Sequence, residues 1–304
     1  MPRRPSGPPR FNGILVIDKP AGWTSHDVVA RVRRLVGERQ VGHAGTLDPA
    51  ATGVLPVAVG SATRVVEYLA DASKTYLAEV TFGVETDSHD IDGQVNRWAD
   101  VSHVPVGDVE VALSAWRGPI EQIPPMHAAI KIGGRPLYER ARRGEEIDRP
   151  PRRVAIHHLE LTEWQPPVAT LVVDCSKGTY IRALARDLGS DLGVGAYLSN
   201  LVRVRTGPFD LSHAWTLAEL AELDLEAEWP TIAVHPDAAV EHLDALILDD
   251  DATRRWATGQ AIGSTSETLG VIRVYDSAGE WLGIAVGQPD SHTWKPAKVI
   301  VSAS

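Results

Sequence analysis

The chain has 304 residues, 43% of them hydrophobic, enough for one large domain, or a large and a small one, around a substantial core. No apolar run approaches the roughly 20 residues of a membrane-spanning helix, and a single cysteine, Cys175, excludes an internal disulfide framework and fits a reducing compartment. The formal net charge of −10 argues against a nucleic-acid partner only as an average, because residues 208–304 hold 5 Lys/Arg against 16 Asp/Glu whereas residues 1–207 are balanced at 25 and 24.

The opening MPRRPSGPPRF has no apolar stretch behind its basic residues, so residues 1–10 read as a flexible arm rather than a signal peptide. GILVIDKPAGWTS predicts a buried strand over 13–17 ending in a Lys-Pro-Ala-Gly turn. SHDVVARVRRLVG then places Val28, Val29, Val32, Leu35 and Val36 at helical spacing, with Thr24 or Ser25 to cap the start and Gly37 to supply a left-handed exit. After a Gly/Pro-rich loop, Val54–Val59 reads as a central strand, and SATRVVEYLADA as a short capped helix. Tyr76, Ala78, Val80, Phe82 and Val84 alternate as in a half-buried strand, and Asp92-Gly93 signals a hairpin turn. The carboxylates of that stretch do not make an EF-hand, since Ser88 breaks the ligand spacing and no closing glutamate follows.

Two more strands are expected at RRVAIHHLELTEW and VATLVVDCS, the second of which makes Cys175 a core residue rather than a nucleophile. A helix follows with Ile181, Leu184, Ala185 and Leu188 on one face. The acidic, proline-broken segment 219–244 looks like a boundary. Beyond it, GVIRVYDSAGEWLGIAVG predicts a hairpin and AKVIVS a last strand. Strands and helices mix without a βαβ repeat, so the fold class is α+β with a mixed, mainly antiparallel sheet. The expected division is an arm (1–10), a main domain (11–235) and a small β-rich terminal domain (245–304).

Four features bear on chemistry. In GHAGTLDPAATGVLPV a lone carboxylate, Asp48, sits on a tight turn ahead of a buried strand. The loop matches neither the Walker nor the dinucleotide glycine pattern, which excludes a nucleotide-phosphate cradle. Asp48 can be a nucleophile, a general base or an Asp-Pro turn former. In SKGTYIRALARDLG, Tyr180 and Arg182 are two apart, so an extended backbone points them the same way; they are either an aromatic beside a buried arginine that keeps a neighbouring carboxylate ionised, or an interior tyrosine and a surface arginine. QIPPMHAAIKIGGRPLYERARRGEE leads from a rigid Pro-Pro through Lys131 to a basic helix carrying Tyr138, Arg142 and Arg143, either an RNA-backbone clamp or a solvated surface helix. Seven arginines between Arg135 and Arg153 leave the same choice between a phosphate track and a solvated face.

Taken together, GHAGTLDPAATGVLPVAVGSATR, KTY at 74–76, PPMHAAIK at 124–131 and GTYIRALARDLG at 178–189 resemble the TruB family of pseudouridine synthases, over residues 13–209 and in the same order. The resemblance implies the pseudouridine synthase fold and, in the place of residues 245–304, a PUA-like RNA-binding domain. It implies isomerisation of the uridine at position 55 in the T-loop of tRNA. Asp48 then matches the catalytic aspartate that attacks the flipped uridine, at base C6 or at ribose C1′. Tyr76 matches the tyrosine that stacks on the base and is a candidate to move the C5 proton, and Arg182 the arginine paired with the aspartate. Tyr180 and Leu201 match pocket residues, His43 the histidine that holds the base out of the loop stack, and Lys19 and Pro20 the Lys-Pro turn lining the cleft. Extraction is obligatory, because a stacked uracil cannot present C6 or C1′ to a carboxylate. The resemblance further implies a cytoplasmic, monomeric enzyme acting on the tRNA T-arm with no cofactor, metal, membrane or protein partner. Ala128 stands where relatives often have serine, and the acidic terminal region is unlike a basic RNA-binding face.

Overall fold

The computed structural model describes residues 10–126, 131–132, 135–136, 147–263, 270–288 and 291–300. β1 (Gly13–Lys19) is covered on both faces and leads into α1 (Ser25–Val36). Thr24 and Asp27 form a capping box, each side chain accepting from the other's backbone N–H, and Gly37 leaves the helix at φ 70°, a left-handed turn that glycine makes without strain. Val28, Val29, Val32 and Val36 form its buried stripe, as their spacing predicts.

β2 (Val41–His43) and β3 (Thr52–Val59) follow, both pairing antiparallel with neighbours: β2 with β3, and β3 with β1. Next come α2 (Val66–Ala70), β4 (Lys74–Phe82), β5 (Val84–Thr86), β6 (Val95–Trp98), α3 (Val106–Ala115), β7 (Gly118–Gln122) and the two-residue strands β8 (Lys131–Ile132) and β9 (Arg135–Pro136). β10 (Arg152–Gln165), β11 (Val168–Cys175), α4 (Ile181–Asp191), β12 (Ala196–Thr206) and β13 (Phe209–Asp210) complete the main body. Its sheet runs β1-β3-β12-β4-β11-β10-β7, with β2 beside β3 and β13 beside β12. Every pairing is antiparallel except β3 with β12. There Gly53 lies opposite Arg203, and a Cβ at Gly53 would collide with the Arg203 backbone. The mixed, mainly antiparallel α+β fold is therefore present.

Period-two alternation explains why β1 and β3 are apolar throughout. Leu15, Ile17, Leu55, Val57 and Val59 face α1, whereas Ile14, Val16, Val54 and Ala58 face the opposite layer. That second layer contains Leu69, Phe209, Ala239, Val240 and, from the terminal region, Trp281 and Ile284. On the other half of the sheet, Ile181, Leu184, Ala185 and Leu188 of α4 pack on β4 and β11.

After α5 (Leu217–Glu222) and α6 (Leu225–Ile232), the small β-rich terminal domain is built from β14 (Ala245–Ile247), α7 (Asp250–Ala257), β15 (Ile262–Gly263), β16 (Val271–Tyr275), β17 (Trp281–Gln288) and β18 (Thr293–Val299), in the order β14-β16-β17-β18-β15. The hairpin of β16 and β17 lies where the sequence places it, and the last strand begins earlier than AKVIVS.

Four local expectations change. Residues 60–70 split into a 3-10 turn and the short α2, neither capped by a side chain, because Val59 and Val65 at the cap positions offer no acceptor. β5 and β6 are joined by residues 87–94 rather than by a tight Asp92-Gly93 turn, and it is His89 that takes the positive φ, 62°. Pro230 lies inside α6, close enough to its end that little helix remains to be broken. Segment 219–244 is no bare linker, since Ile232, Ala239 and Val240 are buried in the core.

Because β1, β3 and β17 share one apolar layer, Ile284→Ala is expected to cost about 2–5 kcal/mol in a single cooperative transition. Urea denaturation followed by tryptophan fluorescence checks this; a separate early step for the terminal domain would contradict the shared core.

Candidate active site

Asp48 lies in the loop between β2 and β3, which is anchored from the β1–α1 side. The Leu47 N–H donates to the buried Ser25 hydroxyl at 2.9 Å. The Gly22 N–H donates to the Pro49 carbonyl at 2.9 Å. Lys19, fully buried, donates its ammonium to the carbonyls of Pro49 (3.1 Å), Pro20 (3.0 Å) and Trp23 (2.6 Å). Lys19 thus stands behind the loop and ties it to the turn. Burial pushes its pKa down to about 8, opposed by the Asp48 charge.

In front, the Asp48 carboxylate meets Arg182, the second residue of α4, in a bidentate pair. Nε donates to Oδ2 at 2.9 Å and Nη2 to Oδ1 at 3.1 Å. The Arg182 side chain is only 6% exposed, while that of Asp48 is 40% exposed and open to a cleft. The other edge of the guanidinium lies 3.3 Å from Asp90, on the loop between β5 and β6. Burial raises the Asp48 pKa above its ordinary value, and the Asp90 charge adds to this, while Arg182 and Lys19 pull it down.

Tyr180 and Arg182 do share a direction, though not by strand alternation. Tyr180 is the residue that caps α4 and Arg182 is already helical, so the chain's turn into the helix aims both inward. Buried Gln122 of β7 fixes that turn: its Oε1 accepts from the Tyr180 N–H at 3.0 Å and its Nε2 donates to the Tyr180 carbonyl at 3.3 Å. Tyr76 reaches the same place from an inward position of β4. Its phenol is buried and contacts the Arg203 guanidinium, which also donates to the carbonyls of Val54 (2.7 Å) and Gly45 (3.0 Å). Burial raises the Tyr76 pKa further above 10, so at neutral pH it is an un-ionised phenol, with Arg203 favouring the ionised form.

Asp48, Tyr76, Tyr180, Arg182 and Leu201 line one cavity of about 330 Å³, together with Lys74 and Arg203. A second cavity, of about 600 Å³, lies on the far side of the Asp48–Arg182 pair and includes Thr24, Ser25, His26 and Asp90. A cavity of about 610 Å³ elsewhere, between His213 and Glu241, contains none of these groups. His43 stands beside the loop on β2, its ring edge-on to His26 with centroids 5.5 Å apart. Burial lowers its pKa to about 4, leaving it neutral. Pro20 is exposed on the turn and contributes a carbonyl rather than a cavity wall. Lys131 is described only as backbone of β8; Arg142, Arg143, Tyr138 and residues 1–9 of the arm lie outside the described residues. Of the remaining basic run, Arg149 donates to the Pro124 carbonyl at 3.0 Å and Arg153 lies 3.5 Å from Glu121. Cys175 is buried and its thiol is pushed up to about 11, as fits a core residue.

Three residues at the site carry no role in the sequence reading: Asp90, Arg203 and Lys74. Arg203 did leave a signal, an arginine two places from Leu201 on an inward strand face. Lys74 donates to the carbonyls of Ala70 and Ala72, both at 2.6 Å, and its pKa is pushed down to about 8 by burial. Asp90 sits in an acidic loop that reads as turn chemistry, and nothing local distinguishes it from Asp87 or Asp92.

Comparison with known proteins identifies the family. Residues 33–181 match the TruB family pseudouridylate synthase N-terminal domain, 182–252 the tRNA pseudouridylate synthase B C-terminal domain, and 245–296 the pseudouridine synthase II TruB C-terminal region. The tRNA pseudouridine synthase B of Symbiobacterium thermophilum is 58% identical over 69% of this chain and 71% of its own. That of Dehalococcoides mccartyi is 43% identical over 96% of this chain and 97% of its own. Among solved structures, a Cbf5-Nop10-Gar1 complex superposes with a TM-score of 0.76 at 27% identity, covering 97% of this chain and 86% of that one. An H/ACA RNP bound to a substrate RNA containing 2'-deoxyuridine gives 0.70 at 25% identity, covering 97% and 84%. The chain belongs to the TruB family of pseudouridylate synthases.

Proposed function

We propose that this protein isomerises the uridine at position 55 of the tRNA T-loop to pseudouridine, with residues 11–235 as the catalytic body and Asp48 as the nucleophile. The observation that carries the reading is the bidentate Asp48–Arg182 pair opening onto a cavity walled by Tyr76, Tyr180 and Leu201. An extracted uracil would stack against the aromatic wall, with Leu201 against its apolar edge. Asp48 attacks C6 of the base or C1′ of the ribose, the N1–C1′ bond breaks, the uracil rotates and rejoins C1′ through C5, and the bond to Asp48 breaks to return the carboxylate. The C5 proton must then leave. Tyr76 is the candidate base: its phenolate takes the C5 proton and returns to the neutral phenol, and the Arg203 guanidinium beside it favours that ionised form against the burial that opposes it. The atoms balance without an oxidant or a nucleotide, because reactant and product are isomers.

The printed names of the full-length relatives, all tRNA pseudouridine synthase B, support tRNA as the substrate class. We infer a monomeric enzyme of the cytoplasm that works without a protein partner or cofactor, with His43 holding the base out of its stack and Lys131, Arg142 and Arg143 gripping the RNA backbone. A purely RNA-binding, folding-factor reading leaves the Asp48–Arg182–Asp90 arrangement without a purpose.

Asp48→Asn is expected to abolish tritium release from C5-labelled T-arm stem-loops while leaving RNA affinity within a few-fold; substantial turnover by this variant would sink the nucleophile assignment. The pH dependence follows from the sign of the shift. The reactive form is the carboxylate, and burial together with Asp90 raises its pKa. The acid limb of kcat/KM is therefore expected above the ordinary aspartate range. Asp90→Asn removes the like charge, so that limb should move to lower pH, with a lower plateau because one partner of the Arg182 guanidinium loses its charge. A limb that stays in place in pH-rate profiles would show that Asp48 is not the titrating group.

A further inference from the structure

Beside the cleft, α1 and its exit carry Arg31, Arg33, Arg34 and Arg39 within nine residues of a chain whose net charge is −10. The two nearby acids are already engaged. Asp27 accepts from the Thr24 N–H and hydroxyl, and Glu38 accepts from the backbone N–H groups of Arg10 and Phe11. Among the described residues no carboxylate forms an ion pair with any of these four arginines, so the cluster presents uncompensated positive charge.

Its placement relates it to the site. His26 and Arg33 are seven apart, hence on one side of α1 about 10 Å apart along the axis. Both touch β2: the His26 ring lies edge-on to His43, and Arg33 Nη2 donates to the Val41 carbonyl at 3.1 Å. His26 also lines the cavity that Asp48 and Arg182 share. The side of α1 from His26 to Arg34 therefore runs from the rim of the cleft outward along β2, with Arg33 and Arg34 exposed at its far end. Trp23, 37% exposed, stands just before the helix. Aromatic and imidazole rings followed by guanidinium groups that pair with no described carboxylate, leading away from the cavity beside the Asp48–Arg182 pair, are what a nucleic-acid strand requires of a surface.

We propose that this side of α1 is an RNA-backbone contact, in which Arg33 and Arg34 hold phosphates flanking the extracted nucleotide. The proposal rests on the RNA-isomerase reading for the identity of the strand, and binding assays separate the two. Filter binding of a T-arm stem-loop across a range of KCl concentrations would compare Asp48→Asn protein with the same protein carrying R33A/R34A or R34E. The expected result is a loss of affinity of at least about fivefold, and a salt slope shallower by about 0.7–0.9 for each arginine lost. In the otherwise unaltered enzyme, KM should rise with kcat at saturating RNA unchanged, and R33K/R34K should keep the slope. If R33A/R34A fails to fold because Arg33 ties α1 to Val41, R34E still decides, since Arg34 bonds only weakly to the Ala30 carbonyl of its own helix at 3.3 Å. Unchanged affinity and slope in folded R34E would overturn the proposal. Wild-type protein that binds the stem-loop with an α1-dependent slope yet releases no tritium would uphold it and refute the activity.

Discussion

The structure depends on keeping a carboxylate ionised after most of its water has been taken away. Asp48 must be dehydrated to act on a base, and dehydration alone would protonate it. The Arg182 guanidinium, itself buried, opposes this by giving both carboxylate oxygens a charged donor. Asp90 then serves the arginine rather than the aspartate. It holds the other edge of the guanidinium, fixing the plane of the fork, at the cost of some repulsion toward Asp48. Two carboxylates on one arginine leave that trio with a net negative charge, and Lys19 behind the loop offsets part of it.

The remaining buried cations act as pins. Lys19, Lys74 and Arg203 all donate mainly to backbone carbonyls, and the carbonyls they choose belong to the segments that shape the cavity. Lys19 fixes the turn after Asp48, Arg203 joins the loop at Gly45 to β3 and Tyr76, and Lys74 closes the end of α2. A buried cation solvated by carbonyl dipoles is more directional than an apolar contact, because it fails if any one carbonyl moves. The parallel pairing of β3 with β12, the one exception in the main sheet, is what brings Arg203 against Gly53 and makes this joint possible.

What was legible in the sequence was whatever depends on local pattern. The capped start of α1, the alternation of β4 and the stripe of α4 follow from local pattern, and the structure keeps them. Asp48 and Arg182 were not decided locally, since an Asp-Pro turn and a surface arginine explain each segment alone; only the joint resemblance of several segments to one family singled them out. Asp90 was not legible, because its role arises only when an acidic loop is folded back over α4, and Asp87 and Asp92 have the same local chemistry. Arg203 was half legible: its inward strand position is a signal, but which carbonyls it meets depends on a crossover some 150 residues away in the chain. The shared core was hidden for a similar reason. Proline and acidic residues in 219–244 mark a boundary by composition, while Ala239 and Val240, the residues that close the gap, are unremarkable.

The terminal domain steadies the same loop from behind. Most of the negative charge of residues 208–304 lies in 208–244, with nine Asp/Glu and no Lys/Arg, whereas 245–304 holds 5 Lys/Arg against 7 Asp/Glu, so the terminal domain offers no basic face and its contribution is better sought in packing than in grip. Trp281 and Ile284 cover the face of β1 and β3 opposite α1, and Lys298 pairs with Glu67 at 2.6 Å across the same junction. β3 is the strand that begins where the Asp48 loop ends, so whatever steadies β3 steadies the nucleophile.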